Sequence, residues 1–242
     1  MCRFLGIVAS RDIEFRRCLH GAPRSLAELS REHPDGWGVA LFEPGPRRWN
    51  VHRGIDRALD CARFRALAAL SRASVLVAHI RQKTVGCTSL ANTHPFAQGN
   101  WIFAHNGTVK DVAYLASRSS SERLGQVVGE TDSEKLFAFL LTRLDEAGLA
   151  DCPASEATDR VLSEGCEALR ARPGMGAFNF LLSDGETSYA HRFGRTMFLL
   201  ERAHGEVLVA SEALTDEPWQ VVDDGTLLRM DRGASHRLRR VA

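Results

Sequence analysis

At 242 residues, 44% of them hydrophobic and 25% charged, the chain has an ordinary globular composition and enough length for a substantial core. A formal net charge of +1 excludes a basic footprint for nucleic acid over the whole chain, and the longest apolar runs, FAFLL and VLVA, are far too short to span a bilayer. The cysteines (Cys2, Cys18, Cys61, Cys87, Cys152, Cys166) are scattered without a CxxC pair, and MCRFLGIVASRDIEF lacks a secretory pattern, so a reducing cytoplasm is the expected compartment.

In chain order, strands are expected at RFLGIVA, GWGVALFE, WNVHRG, VLVAHIR and WIFAHNG, each short and closed by Gly, Asp or Pro. FEPGPRR reads as a turn between the second and third. Shorter helices are predicted near residues 24–32, 57–72 and 111–118. DSEKLFAFLLTRLDEAG places Leu136, Leu140 and Leu144 on one helical face, with Phe137 and Leu141 beside them and a Thr131/Glu134 capping-box pattern at its start. SEATDRVLSEGCEALRAR is a second long helix, ended by Pro173 and Gly174. AFNFLLSDG, SYAHRFG, MFLLERA, EVLVASE, WQVVDD and TLLRMD then read as strands, and the arginine-rich last twenty residues as an edge strand or tail. Two strand groups flanking a helical centre predict two packed antiparallel sheets with helices on their outer faces, in one domain spanning residues 1–242.

Four features carry candidate chemistry. Cys2 follows the initiator, and removal of Met1 would leave one residue holding both a thiol and a free α-amine; the plain alternative is a small hydrophobe on a terminal strand. Arg81 ends an apolar strand on the face shared by Val75, Val77 and His79. It either emerges to meet a surface carboxylate or grips a substrate carboxylate. Asn106-Gly107 is a strong signal for a two-residue hairpin turn; equally, an amide and a backbone N–H aimed at one spot form an oxyanion hole. Asp132 opens a helix, either capping its free N–H groups or pairing with a substrate ammonium. His79, His94 and His105 with Cys87 raise a metal-hydrolase alternative, although their separations match no compact ligand motif. A binding scaffold without turnover is a further alternative. No cofactor fingerprint is present, and none is expected.

Taken together, MCRFLGI, HPDGWGVALFE, VAHIRQKTVG, NTHPF, WIFAHNGTV, GETDSEK and VASEALT occur in order over residues 2–214. The chain thereby resembles the class II glutamine amidotransferases of the N-terminal nucleophile (Ntn) hydrolases, closest to the stand-alone YafJ-type and EgtC-like members. The resemblance implies an α+β fold, a four-layer α-β-β-α sandwich. It implies Cys2 as nucleophile, Asn106 and Gly107 as oxyanion hole, Arg81 with nearby Thr84 at the substrate α-carboxylate, and Asp132 at the α-ammonium. The implied substrate is glutamine or a γ-glutamyl amide, cleaved through a thioester, with an ammonia-accepting synthetase as a candidate partner. Gln82, Lys83 and Val85 depart from the pattern of synthase-fused members. Ser211 and Glu212 receive no role.

Overall fold

The computed structural model describes residues 2–233 and 238–242; Met1, and with it the expected processing step, lies outside the described residues. The strands, in chain order, are β1 (Arg3–Glu14), β2 (Trp37–Glu43), β3 (Arg48–Gly54), β4 (Arg72–Ile80), β5 (Phe96–Gln98), β6 (Trp101–Val109) and β7 (Gly176–Ser183). They continue with β8 (Thr187–His191), β9 (Phe198–Arg202), β10 (Glu206–Ala210), β11 (Gln220–Val221), β12 (Leu227–Asp231) and β13 (Arg239–Arg240). The α-helices are α1 (Leu26–Leu29), α2 (Ala62–Leu70), α3 (Val112–Ser117), α4 (Ser121–Gly125), α5 (Asp132–Glu146) and α6 (Glu156–Arg170).

Every strand pairing is antiparallel. One sheet has the order β11-β9-β10-β1-β4-β2-β3 and the other β13-β12-β8-β7-β6-β5. Strand alternation sorts their side chains into distinct apolar layers. Leu5 and Ile7 of β1 and Leu76, Ala78 and Ile80 of β4 face outward onto α1 and α2, packing with Leu26 and Phe64. Phe4 and Val8 of β1, with Val75 and Val77 of β4, face inward and meet Ile102, Ala104 and Leu181 of the other sheet. Phe103 and Phe180 face outward from that second sheet onto Phe137, Leu140 and Leu144 of α5 and Leu162 and Leu169 of α6. These apolar layers separate four structural ones, the α-β-β-α sandwich.

Helix α5 forms as its periodicity predicts. Thr131 accepts the Glu134 N–H at 3.3 Å, a cap typically worth about 1 kcal/mol. Glu134 departs from the full capping box: its carboxylate accepts the Val128 and Gly129 N–H groups and the Thr131 hydroxyl instead. Phe137 stacks on Phe103 with centroids 5.0 Å apart and planes 5° from parallel.

Two expectations are corrected. The sheets do not divide at the helical centre: β9, β10 and β11, late in sequence, join β1–β4, whereas β5 and β6 precede the helices yet join β7. Asn106 and Gly107 make no hairpin turn. They lie inside β6 opposite Asn179 and Phe178 of β7. Glycine is needed there for close approach, since a Cβ would stand 2.0 Å from the Ala177 carbonyl oxygen.

Candidate active site

On the faces that line the space between the sheets, apolar residues give way to polar ones toward one end. The inward face of β4 runs Val75, Val77, then His79 and Arg81 just beyond the strand. On β6 it runs Ile102, Ala104, Asn106. On β10 it runs Val207, Val209, then Ser211, and β1 brings Cys2 to the same end ahead of Phe4.

Cys2 is partly buried. Its Sγ donates to the Gln82 carbonyl and accepts the Gln82 N–H, both at 3.4 Å. Burial pushes the thiol above its ordinary value, and the Gln82 N–H opposes this; the Arg81 charge lowers it and the Asp132 charge raises it.

Arg81 is 3% exposed. It does not emerge to a surface carboxylate, as one sequence reading had it. Its guanidinium donates to the Cys87 carbonyl at 3.0 Å and the Val85 carbonyl at 2.9 Å, and among the described residues no carboxylate lies within ion-pair distance. A buried cation held only by neutral oxygens is an expensive arrangement that an incoming anion relieves. The loop that supplies those oxygens is itself fixed. Asn92 Nδ2 donates to the Cys87 carbonyl at 3.0 Å, and Glu130 accepts the Cys87 N–H at 3.2 Å. Asn92 Oδ1 in turn accepts the Glu130 N–H at 2.8 Å. That N–H of Cys87, with the Asn92 amide, holds the Glu130 carboxyl below its ordinary value. From the other side the HPDGWG segment clamps the strand end: Arg81 N–H donates to Gly36 at 2.8 Å, and Asp35 N–H donates to Arg81 at 3.0 Å.

Asp132 is the first residue of α5, yet the cap of that helix is Thr131. Its Oδ2 reaches back to accept the Val109 N–H at 2.6 Å, at the end of β6. It is 6% exposed, and among the described residues no cation pairs with it. Asn106, 3% exposed, places Nδ2 3.1 Å from Ser211 Oγ. Thr84 is exposed on the loop beyond Arg81, and its side chain makes no hydrogen bond among the described residues.

The histidines do not converge as ligands. His79 and His94 lie ring against ring, with centroids 4.2 Å apart. The His105 ring turns to the other face of β6, bonding Ser133 Oγ at 2.8 Å. Cys87 is exposed. Among the described residues no three His, Cys, Asp or Glu side chains are grouped to hold a metal ion. Burial drives His79 down to about 3 and His94 well below the usual imidazole range, so both rings are packing groups, neutral at pH 7.

The profile of the glutamine amidotransferases class II matches residues 1–207. The chain belongs to this family. It is 33% identical to the putative glutamine amidotransferase YafJ of Escherichia coli, over 84% of this chain and 77% of that one. It is 31% identical to the γ-glutamyl-hercynylcysteine sulfoxide hydrolase of Mycobacterium tuberculosis, over 95% and 93%. The fold also matches the glutamine phosphoribosylpyrophosphate amidotransferase of B. subtilis, with a TM-score of 0.68 and 16% identity, over 100% of this chain and 49% of that one. The chain is thus an enzyme of the class II glutamine amidotransferases, with the Ntn sandwich expected of them.

Sequence reasoning missed several residues of this candidate site. Asn92 and Glu130 sit inside the quoted NTHPF and GETDSEK segments, but nothing in the pattern says that they brace the oxygens around Arg81. Glu212 was given no role. It takes hydrogen bonds from Arg3 and Arg24, and Arg3 donates to the Cys2 carbonyl at 3.0 Å. His33 is 3% exposed, and burial lowers it to about 4.

Proposed function

We propose that this enzyme hydrolyses the γ-amide of a γ-glutamyl compound through a Cys2 thioester, with residues 1–242 acting as one catalytic domain. The observation that carries the reading is the pair of buried opposite charges, Arg81 and Asp132, neither with an ion-pair partner among the described residues, the first lowering and the second raising the Cys2 thiol. A free α-amino acid end carries a carboxylate and an ammonium on one carbon. Arg81 supports the first and Asp132 the second, which fixes the register of the γ-carbonyl over the thiol. Thr84 enters this reading as a residue on the exposed loop beside the α-carboxylate site.

The chemistry needs the α-amine of Cys2, freed by loss of Met1. The amine accepts the thiol proton as sulfur bonds to the γ-carbonyl carbon. Negative charge develops on the carbonyl oxygen, where the Asn106 amide and the Gly107 N–H act as donors. Collapse breaks the C–N bond, and the leaving amine takes the proton held by the α-amine. Water then adds to the thioester, releasing glutamate and restoring the thiol. No metal or cofactor enters these steps, and a free thiol suits a reducing compartment. Among the described residues no helix is long and apolar enough to cross a membrane.

Two leaving groups are compatible with this sequence of steps: ammonia, passed to a synthetase partner, or a larger amine. A specific feature favours the larger amine. Beside Glu212, which joins Arg3 next to Cys2, lies an open cavity of about 490 Å³ lined by Arg24, Thr196, Phe198, Glu212 and Thr215 among others. The relative from M. tuberculosis carries a γ-glutamyl hydrolase name, which supports the same choice.

The test is glutamate release from glutamine and from a panel of γ-glutamyl amides, with acid quenching and peptide mass analysis of Cys2. The expected result is a γ-glutamyl adduct on Cys2 and better turnover of amides with bulky amines. Glutamate release that survives Cys2→Ala overturns the mechanism; a preference for glutamine over every larger amide overturns the leaving-group choice.

A further inference from the structure

Ser211, just past β10, is 1% exposed. Its Oγ accepts the Phe4 N–H at 3.1 Å and lies 3.1 Å from Asn106 Nδ2. A hydroxyl offers one proton and accepts through two lone pairs. With Nδ2 turned toward it, Ser211 receives two donors, and its own proton has no acceptor among the described residues. At the other end of the amide, Asn106 Oδ1 is buried with no donor among the described residues. One side chain pair therefore leaves both a buried donor and a buried acceptor unmatched, which native interiors avoid.

A half-turn of the Asn106 amide exchanges two groups of nearly equal size. Ser211 Oγ–H then donates to Oδ1, and Phe4 N–H still donates to Ser211 Oγ. The amide NH₂ now faces away from Ser211 with a free donor, the requirement for an oxyanion hole. The polarity of the chain of bonds is enforced from one end. A backbone N–H can only donate, so Phe4 obliges the hydroxyl to aim its proton elsewhere, and Oδ1 is the unmatched acceptor beside it. Ser211 has little freedom to move: its carbonyl accepts Thr196 Oγ1–H at 3.0 Å, and Asn179 Nδ2 donates to the Arg195 and Thr196 carbonyls, each at 3.1 Å.

We propose that Ser211 is a positioning residue that locks the Asn106 amide with its NH₂ toward the reacting carbonyl, the lock being set by Phe4, two residues from the nucleophile on the same segment. This rests on the thioester reading above and extends it to a residue outside the reacting groups. The oxyanion donor and the nucleophile are then oriented by one strand, so they move together.

The experiment compares Ser211→Ala, Ser211→Thr, Asn106→Ala and the Ser211→Ala/Asn106→Ala double variant in full-length enzyme, using γ-glutamyl-p-nitroanilide as substrate. Ser211→Ala is expected to lower kcat by about 10- to 100-fold with KM nearly unchanged, less than the roughly 10²–10³-fold of losing an oxyanion donor outright. Ser211→Thr restores the rate because it restores the proton. The double variant is no slower than Asn106→Ala alone, since Ser211 acts only through that amide. Multiplying losses in the double variant, or full kcat in Ser211→Ala, overturns the inference. Should Ser211→Ala not fold, Ser211→Cys keeps the volume with a weaker donor, and an unchanged kcat there overturns it equally. If wild-type enzyme forms no adduct on Cys2, the thioester reading itself falls; if it does and Ser211→Ala forms it at the same rate, only the role of Ser211 falls.

Discussion

The space between the two sheets has two unlike ends. At one, Val8, Phe42, Val75, Ile102 and Leu181 make a dry apolar contact. At the other, the same strand faces present Cys2, His79, Arg81, Asn106 and Ser211, several with buried polar atoms or charges left unmatched. Strand pairing reaches His79 and Asn106, and Cys2, Arg81 and Ser211 stand one residue past the ends of β1, β4 and β10, so the same strands build both ends and differ in the side chains they present. The apolar end supplies cohesion, and the polar end uses that cohesion to hold groups that would not stay buried unaided. Unmatched groups at a rigid site are waiting for substrate atoms.

This contrast predicts that changes at the polar end remove activity while the fold persists, and that changes at the apolar end do the reverse. The largest effect is expected at Cys2: Cys2→Ala should cost about 10⁴-fold or more in kcat with an unchanged melting temperature, read by glutamate release and calorimetry. Arg81→Lys comes next, at about 10²–10³-fold in kcat/KM, because an ammonium cannot reproduce a planar fork. Steady-state kinetics checks it, and a normal kcat/KM would place the carboxylate elsewhere. At the apolar end, Leu181→Ala should destabilise by about 2–5 kcal/mol while kcat per folded molecule holds, which denaturant titration beside an activity assay will separate. Leu181 is 2% exposed and packs over Gly6, so the cavity has little chance to close.

The smallest effect is a pH dependence of stability that belongs to the polar end. Burial lowers His33 to about 4, His79 to about 3, and His94 well below its ordinary value. Above pH 6.5 these rings are neutral folded and unfolded, and their contribution is fully present. As pH falls below 6.5, the unfolded chain binds protons that the folded chain refuses. Each such ring then costs stability as the pH falls, and its cost stops growing once its folded value is reached. The melting temperature should fall between pH 6.5 and 4, and His94→Phe should flatten that limb.

Much of the fold was legible. The alternation in VLVAHIR assigned both faces of β4 correctly, because a strand buried on both sides still obeys a period of two. Leu136, Leu140 and Leu144 gave α5, because a helix packed on one sheet repeats near every fourth residue. Asn106-Gly107 is where local reading fails. The dipeptide favours a turn, but tertiary pairing with β7 keeps it extended, and glycine is required by the Ala177 carbonyl rather than by a positive φ. Arg81 was open to two readings, and the structure removes the surface-carboxylate one: the loop braced by Asn92 and Glu130 encloses the guanidinium. Thr84, which entered only through the family resemblance, lies exposed.

The amino-acid order alone determined the longer elements, though not β5 or α4, their buried faces and the ordered motifs that mark the family, because each depends on neighbours within a turn or a strand. Only the tertiary structure decided that β9 and β10 cross back to β1 and that β6 pairs with β7. Those long-range pairings carry Ser211 to Asn106, 105 positions away in sequence, and a contact at that separation leaves no local pattern to read.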